Sequence, residues 1–421
     1  MARLVVATVP LTGHVEPMRV VVRELVARGH EVTWYSGRAY AATIEATGAR
    51  FVAASRELAD ISPRLRGIVR VQAQLQTLFI APAVDQAREL AAIVDREAPD
   101  GIVADAAHLG AAFVAEQRGL PWVGLGISAL MTPSIDTAPF GSARRPARDG
   151  EPRWIYRLLN WLIFRVVFWR VNRAYRRARV AAGLPAGRGT YFDVMASTRF
   201  LQPTVPAFEY PRSDLPPQVE MIGPLLPRDT GAAVLPTWWG DVATARERGV
   251  PIVLVTQGTL ATDPDELIAP ALEALADEPV LVIATTSAAL PTVPANARIA
   301  PFIPYGRLLP NVSVMVTNGG YGGVQMALAA GVPLVVAGGS EEKPEVAARV
   351  AWSGTGIDLR TGRPRASAIR RAVRRVLDER SYRERAQLLS REMARHDAPG
   401  RAADLIEEAV MPVRVRQAVA S

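Results

Sequence analysis

Cysteine is missing from all 421 residues, and lysine occurs once, at Lys343. The first absence excludes disulfides, thiol nucleophiles and cysteine-built zinc sites, and it suits the reducing cytoplasm. Histidine is scarce, found only at positions 14, 30, 108 and 396, so imidazole chemistry has few places to sit. Long apolar runs are lacking too. The most apolar later stretch, 158–169, contains Asn160 and Arg165 and falls well short of the roughly 20 residues of a membrane span. The N-terminal run 1–10 is short and leads straight into a loop, so it reads as a first buried strand rather than a signal peptide. There is no GxxxxGK-S/T phosphate loop and no basic–aromatic nucleic-acid motif, which argues against a P-loop enzyme and a nucleic-acid partner.

What is present is an ordinary globular composition, 49% apolar and 21% charged, over a length that suits two domains. Net charge is +8, nearly all of it arginine on the basic side. A basic surface aids solubility; it also attracts a diphosphate or an anionic surface.

Short apolar runs alternate with helical spacing in both halves, which predicts an α/β protein with parallel sheets covered by helices. In the first half, 4–9, 31–35, 101–105 and 122–126 read as strands. Segments 18–28 and 109–118 read as helices, the first stopping at Gly29. In the second half, 251–257, 280–285, 297–300, 314–317 and 334–337 read as strands, with helices over 264–276, 324–330, 345–352 and 366–377. A proline-rich stretch separates the halves. The predicted division is a first domain over 1–215, a linker over 216–235, a second domain over 236–395 and a C-terminal helical segment over 396–421.

Residues 140–180 break this rhythm. Trp154–Arg179 is rich in Trp, Phe, Leu and Arg. Three readings stay open: helices packed on the first domain, an apolar acceptor wall involving Trp154 and Phe164, and a membrane-surface patch.

The chemistry concentrates at strand ends. Thr12-Gly13-His14 follows the first strand, at the carboxyl edge where such sheets bind ligands. A histidine there can act as a general base or merely cap a helix. Asp105 ends another strand at the same edge and can orient and charge-stabilise that imidazole, or serve as a helix cap. His108 is a nearby competitor, His30 reads as structural and His396 as exposed. In the second half, Asn318-Gly319-Gly320-Tyr321-Gly322-Gly323 follows a strand and opens a helix, so its backbone N–H groups favour a pyrophosphate. Gly258 and Thr259 close another strand and suit phosphate contact. Asp263-Pro264-Asp265 looks like a metal-binding DxD, but it reads better as a cap ahead of Pro264. No metal site is expected.

Gly13-His14-Val-Glu-Pro17, Arg28-Gly-His-Glu-Val-Thr33, Gln257-Gly-Thr259, Phe302-Ile-Pro-Tyr-Gly-Arg-Leu-Leu309, Thr317-Asn-Gly-Gly320 and Gly331-Val-Pro333 occur in that order. This ordered set resembles the family-1 UDP-glycosyltransferases of the GT-B fold, in particular their bacterial antibiotic-tailoring members. The resemblance implies two Rossmann-like domains facing across a cleft and an inverting, metal-independent sugar transfer from a UDP- or dTDP-sugar to a small apolar acceptor such as a polyketide, macrolide or aromatic natural product. It implies no cofactor beyond the nucleotide-sugar co-substrate. His14 matches the base and Asp105 its partner, with Thr12 and Gly13 beside the acceptor. Phe302 matches the aromatic that stacks on the nucleotide base, and the Ile303 backbone reads the base edge. Asn318, Gly319, Gly320, Gly322 and Gly323 match the diphosphate motif, and Glu342 and Lys343 face the sugar hydroxyls. The chain departs from the family at Asn318 (usually histidine), Gly323 (serine or threonine), Met326 (glutamate), Lys343 (glutamine) and Tyr305 (glutamine). Two other functions compete: a membrane-surface transferase acting on a lipid, and a catalytically silent partner protein.

Overall fold

Runs such as Arg3–Ala7 and Ile252–Thr256 are buried almost throughout, as expected of parallel strands covered on both faces. The computed structural model describes residues 1–56, 67–195, 198–227, 234–258, 263–339 and 341–411. The strands are β1 (Arg3–Ala7), β2 (Glu31–Ser36), β3 (Arg50–Ala53), β4 (Gly101–Asp105), β5 (Trp122–Leu125), β6 (Arg199–Gln202), β7 (Val219–Met221), β8 (Ile252–Thr256), β9 (Leu281–Thr285), β10 (Ala297–Ala300), β11 (Val314–Thr317), β12 (Leu334–Val336) and β13 (Gly356–Asp358).

They form two all-parallel sheets, ordered β3-β2-β1-β4-β5-β6-β7 and β10-β9-β8-β11-β12-β13. In each sheet the strand order reverses beside the first strand of its half, β1 or β8. This is the topological switch point at which such sheets open a crevice at their carboxyl ends. Side chains alternate across the first sheet: Val5 and Ala7 join one core, Leu4 and Val6 the other. The second sheet divides its strands likewise, with Leu254 in one core and Val253 and Val255 in the other. The fold is GT-B-like, as the motif set implied.

Several boundaries differ from expectation. The first helix spans Thr12–Ala27 and includes Pro17, so His14 lies in its first turn rather than in a loop before it. Its start is fixed by the Leu11 carbonyl, which accepts from the N–H groups of both His14 and Val15. The predicted 264–276 helix breaks at Leu267 into a short 3-10 turn and the helix Ile268–Leu275. The predicted linker 216–235 contributes β7 to the edge of the first sheet. Within the C-terminal segment, helix Ala398–Val410 packs on the first domain. Arg28 donates to Asp404 at 2.7 Å, and the ring of the structural His30 meets Glu407 at 3.0 Å.

Candidate active site

β1 and β4 pair directly, so the turn after β1 and the end of β4 converge. Asp105 is fully buried there. Its Oδ2 accepts from the Val9 N–H at 2.6 Å and its Oδ1 from the Ala107 N–H at 2.8 Å. His14 Nδ1 lies 3.1 Å from Oδ1. The approach is oblique, short of a well-directed hydrogen bond, as is common before a substrate tightens such contacts. With Nδ1 turned to the carboxylate, Nε2 is the nitrogen left for a substrate. Burial alone would raise the Asp105 pKa, but His14, His108 and the Val9 N–H together hold it below the ordinary carboxylate range.

His108 does not compete for this role. Its Nδ1 caps helix Leu109–Arg118 by accepting from Ala111, and burial pushes its pKa down. The cap expected of Asp105 thus belongs to His108. Thr12 pairs its hydroxyl with Tyr40 at 3.0 Å, and a Cβ at Gly13 would meet nothing within 4 Å, leaving room beside His14.

The acceptor wall needs correction. Phe164 is 3% exposed and packed among Phe168 and Phe192, so it is core, and Trp154 is 65% exposed on the protein surface. The aromatic beside His14 is Phe79, whose ring lies 6.2 Å away in a stacked arrangement. It was missed, although Val71, Leu75 and Phe79 recur at spacings of four and all pack on the first core.

In the second domain, β8 and β11 are neighbours, which brings Gly258 close to Asn318. The Asn318 amide donates to the Gln257 carbonyl. Gly319 adopts φ +89°, and a Cβ there would come within 2.8 Å of Val336 and 3.3 Å of the Lys343 carbonyl oxygen. Glycine is therefore required at this position. Gly320 is the N-cap of helix Tyr321–Ala329 and no side chain caps it, so the first N–H groups, including those of Gly322 and Gly323, have no intrahelical partner. Thr259 lies outside the described residues. Phe302 is 67% exposed while Ile303 is buried in the core, so only the Ile303 backbone can face a ligand. Tyr305 sets its hydroxyl 3.2 Å from Thr285.

Lys343 Nζ donates to Glu341 at 2.6 Å. Glu341 has φ +59°, unusual outside glycine, and sequence reading did not single it out. Glu342 sits at the N-cap position of helix Lys343–Trp352 without a side-chain cap; desolvation and the adjacent Glu341 push its carboxyl up. The helices that open at Thr12 and Tyr321 meet at the domain boundary. Gln202 of β6 donates to the Tyr321 hydroxyl at 3.0 Å, and Gln325 donates to Thr204 at 3.0 Å. Asp263-Pro264-Asp265 is the cap that was expected rather than a DxD metal site: Asp263 accepts from the Asp265 N–H and pairs with Arg363. Among the described residues no three His, Asp or Glu side chains gather around a common point.

The family model described as "Erythromycin biosynthesis protein CIII-like, C-terminal domain" matches residues 266–409. The chain is 45% identical over 421 aligned positions to 4'-demethylrebeccamycin synthase of Lentzea aerocolonigenes, covering 96% of this chain and 99% of the relative. Among solved structures, it superposes on the kitacinnamycin glycosyltransferase with a TM-score of 0.74 at 24% identity, covering 98% of this chain and 99% of the other. The spinosyn rhamnosyltransferase SpnG, solved with thymidine diphosphate, gives a TM-score of 0.70 at 18% identity, covering 96% and 100%.

Proposed function

Since the chain belongs to the bacterial natural-product glycosyltransferases of the GT-B fold, we propose that it transfers a sugar from a UDP- or dTDP-sugar to a hydroxyl of a small apolar acceptor, with inversion and without a metal. The observation that carries this reading is the pairing of His14 with buried Asp105 at 3.1 Å, on a helix that contacts the glycine-opened helix Tyr321–Ala329 of the second domain.

His14 removes the acceptor proton through Nε2 as the oxygen attacks the anomeric carbon. Asp105 keeps the proton on Nδ1 and stabilises the imidazolium that forms. The bond to the diphosphate breaks in the same step, so one displacement inverts the centre. Charge building on the leaving diphosphate meets the free N–H groups at the start of helix Tyr321–Ala329 and the positive end of its dipole. Glu342 and Lys343, at the start of helix Lys343–Trp352, take the sugar hydroxyls. Phe302 offers an exposed ring to the nucleotide base, and Phe79 offers an apolar face to the acceptor.

The test is His14→Ala assayed for sugar transfer with a panel of UDP- and dTDP-sugars. Turnover should fall about 10² or more, the scale of a lost general base, while nucleotide binding is kept. Near wild-type turnover would refute the assignment. Product NMR reads the anomeric outcome, and chelator should leave the rate unchanged.

A further inference from the structure

Among the described residues the first domain carries an exposed apolar face. Along helix Arg153–Trp161, the π-helical turn Leu162–Val167 and the start of helix Trp169–Ala181, Trp154, Leu158, Trp161, Leu162, Val166 and Trp169 are all exposed. Their spacing of mostly three or four residues sets them along one side, while Asn160, Phe164, Phe168 and Val171 turn inward. Toward the C-terminal end the same side becomes cationic. Arg165, Arg173 and Arg176 line a cavity of about 480 Å³ with Trp169 and Asn172. Among the described residues no carboxylate pairs with Arg165 or Arg173.

Three large aromatics left in water are costly for a stable chain, and such a patch marks an interaction surface. The occupant can be argued from shape and charge. Of the exposed apolar residues only Trp169 lines that cavity, and the other five lie outside it, so it gives an apolar peptide little to grip. A second copy docked two-fold on the same face would bring this arginine-rich side against its own kind. A lipid surface suits both halves. Tryptophan rings sit at the boundary of headgroup and acyl chain, and the arginines face anionic headgroups.

We propose that this face docks the enzyme in-plane on an anionic membrane surface, with no helix crossing it. Among the described residues no helix is long and apolar enough to cross. The inference does not depend on the roles of His14 or Asp105.

The test is co-sedimentation of the full chain with vesicles of phosphatidylglycerol and phosphatidylcholine, against vesicles of phosphatidylcholine alone. Binding should require the anionic lipid and weaken with added salt. Leu158→Glu combined with Trp161→Glu should abolish it. Arg165→Gln combined with Arg173→Gln should weaken it roughly 25-fold, about fivefold per arginine. Both pairs are exposed, so transfer to a water-soluble acceptor and the thermal midpoint should stay at wild-type values. Absence of binding to anionic vesicles at low salt overturns the proposal. So does a dimeric mass by light scattering that the Leu158→Glu, Trp161→Glu variant converts to monomer, which would make the face an interface between copies.

Discussion

Nε of Arg349, in the second domain, donates to Oε1 of Glu209, in the first, at 2.7 Å with both side chains sealed from solvent. Arg349 also donates to Glu345 at 3.0 Å and lies 4.1 Å over the Tyr210 ring. Glu345 in turn accepts from the N–H groups of Gly141 and Ala143, and Glu209 from that of Leu130. One guanidinium thus ties the Lys343–Trp352 helix to first-domain loops.

Breaking that tie on one side strands charge in a dry place. Arg349→Met should lower stability by about 3–5 kcal/mol, because Glu209 and Glu345 are left buried without their cation. Adding Glu209→Gln should recover part of the loss, since a glutamine still accepts from Leu130. Urea unfolding of the single and double variants checks this. Simple additivity of the two losses would show that the carboxylate and guanidinium are not coupled.

Asp105→Asn should lower kcat by about 10²–10⁴, because the amide no longer fixes the Nδ1 tautomer or supports the imidazolium. It also carries a pH signature. The Asp105 carboxyl is held below its free value of about 3.9, so the unfolded chain takes up this proton first. The stability it contributes is present above about pH 4 and is lost as pH falls through the lower folded value. Thermal midpoints measured from pH 6 to pH 3 should drop less steeply in the variant than in the wild type. Parallel curves would remove Asp105 as a source of acid sensitivity.

The parts that could be read in advance were those that local pattern determines. β1, β4, β8 and β11 are continuous apolar runs because both faces of a parallel sheet are covered, and a strand end locates its following residue. That logic reached His14, Asp105, Gly258 and Asn318. β3 and β7 escaped notice because an edge strand is short and half-exposed, so neither presents an apolar run. The helix start at Thr12 was obscured by Pro17, which reads as a boundary but here lies inside the helix. Phe164 misled for a different reason: an aromatic in an unusual segment is as readily core as wall, and only the surrounding rings decide. The Arg349 network joins residues 140 positions apart, which no local spacing reveals.

Gly319→Ala should impair donor binding more than folding. Its φ of +89° costs a side chain about 1–2 kcal/mol. The new Cβ would also push on Val336 and on the Lys343 carbonyl. Relief must come from shifting the turn that leads into helix Tyr321–Ala329, whose N–H groups are proposed to face the diphosphate. KM for the nucleotide sugar should rise at least about tenfold, and the thermal midpoint should fall by a few degrees. Gly322→Ala serves as the control: its Cβ meets nothing within 4 Å, so stability should hold.

Phe302 offers the sharpest separation of recognition from packing, because its neighbour Ile303 is 3% exposed while Phe302 is 67% exposed. A ring that contributes almost nothing to the core has little stability to lose. Stacking on a nucleotide base is worth roughly 1–3 kcal/mol by alanine substitution. Phe302→Ala should therefore weaken the affinity for UDP or dTDP roughly tenfold to a hundredfold by calorimetry and leave the thermal midpoint within about 2 °C of wild type. Unchanged nucleotide affinity would remove Phe302 from the donor site. A large drop in midpoint would mean that the ring is covered in solution and acts as a packing residue after all.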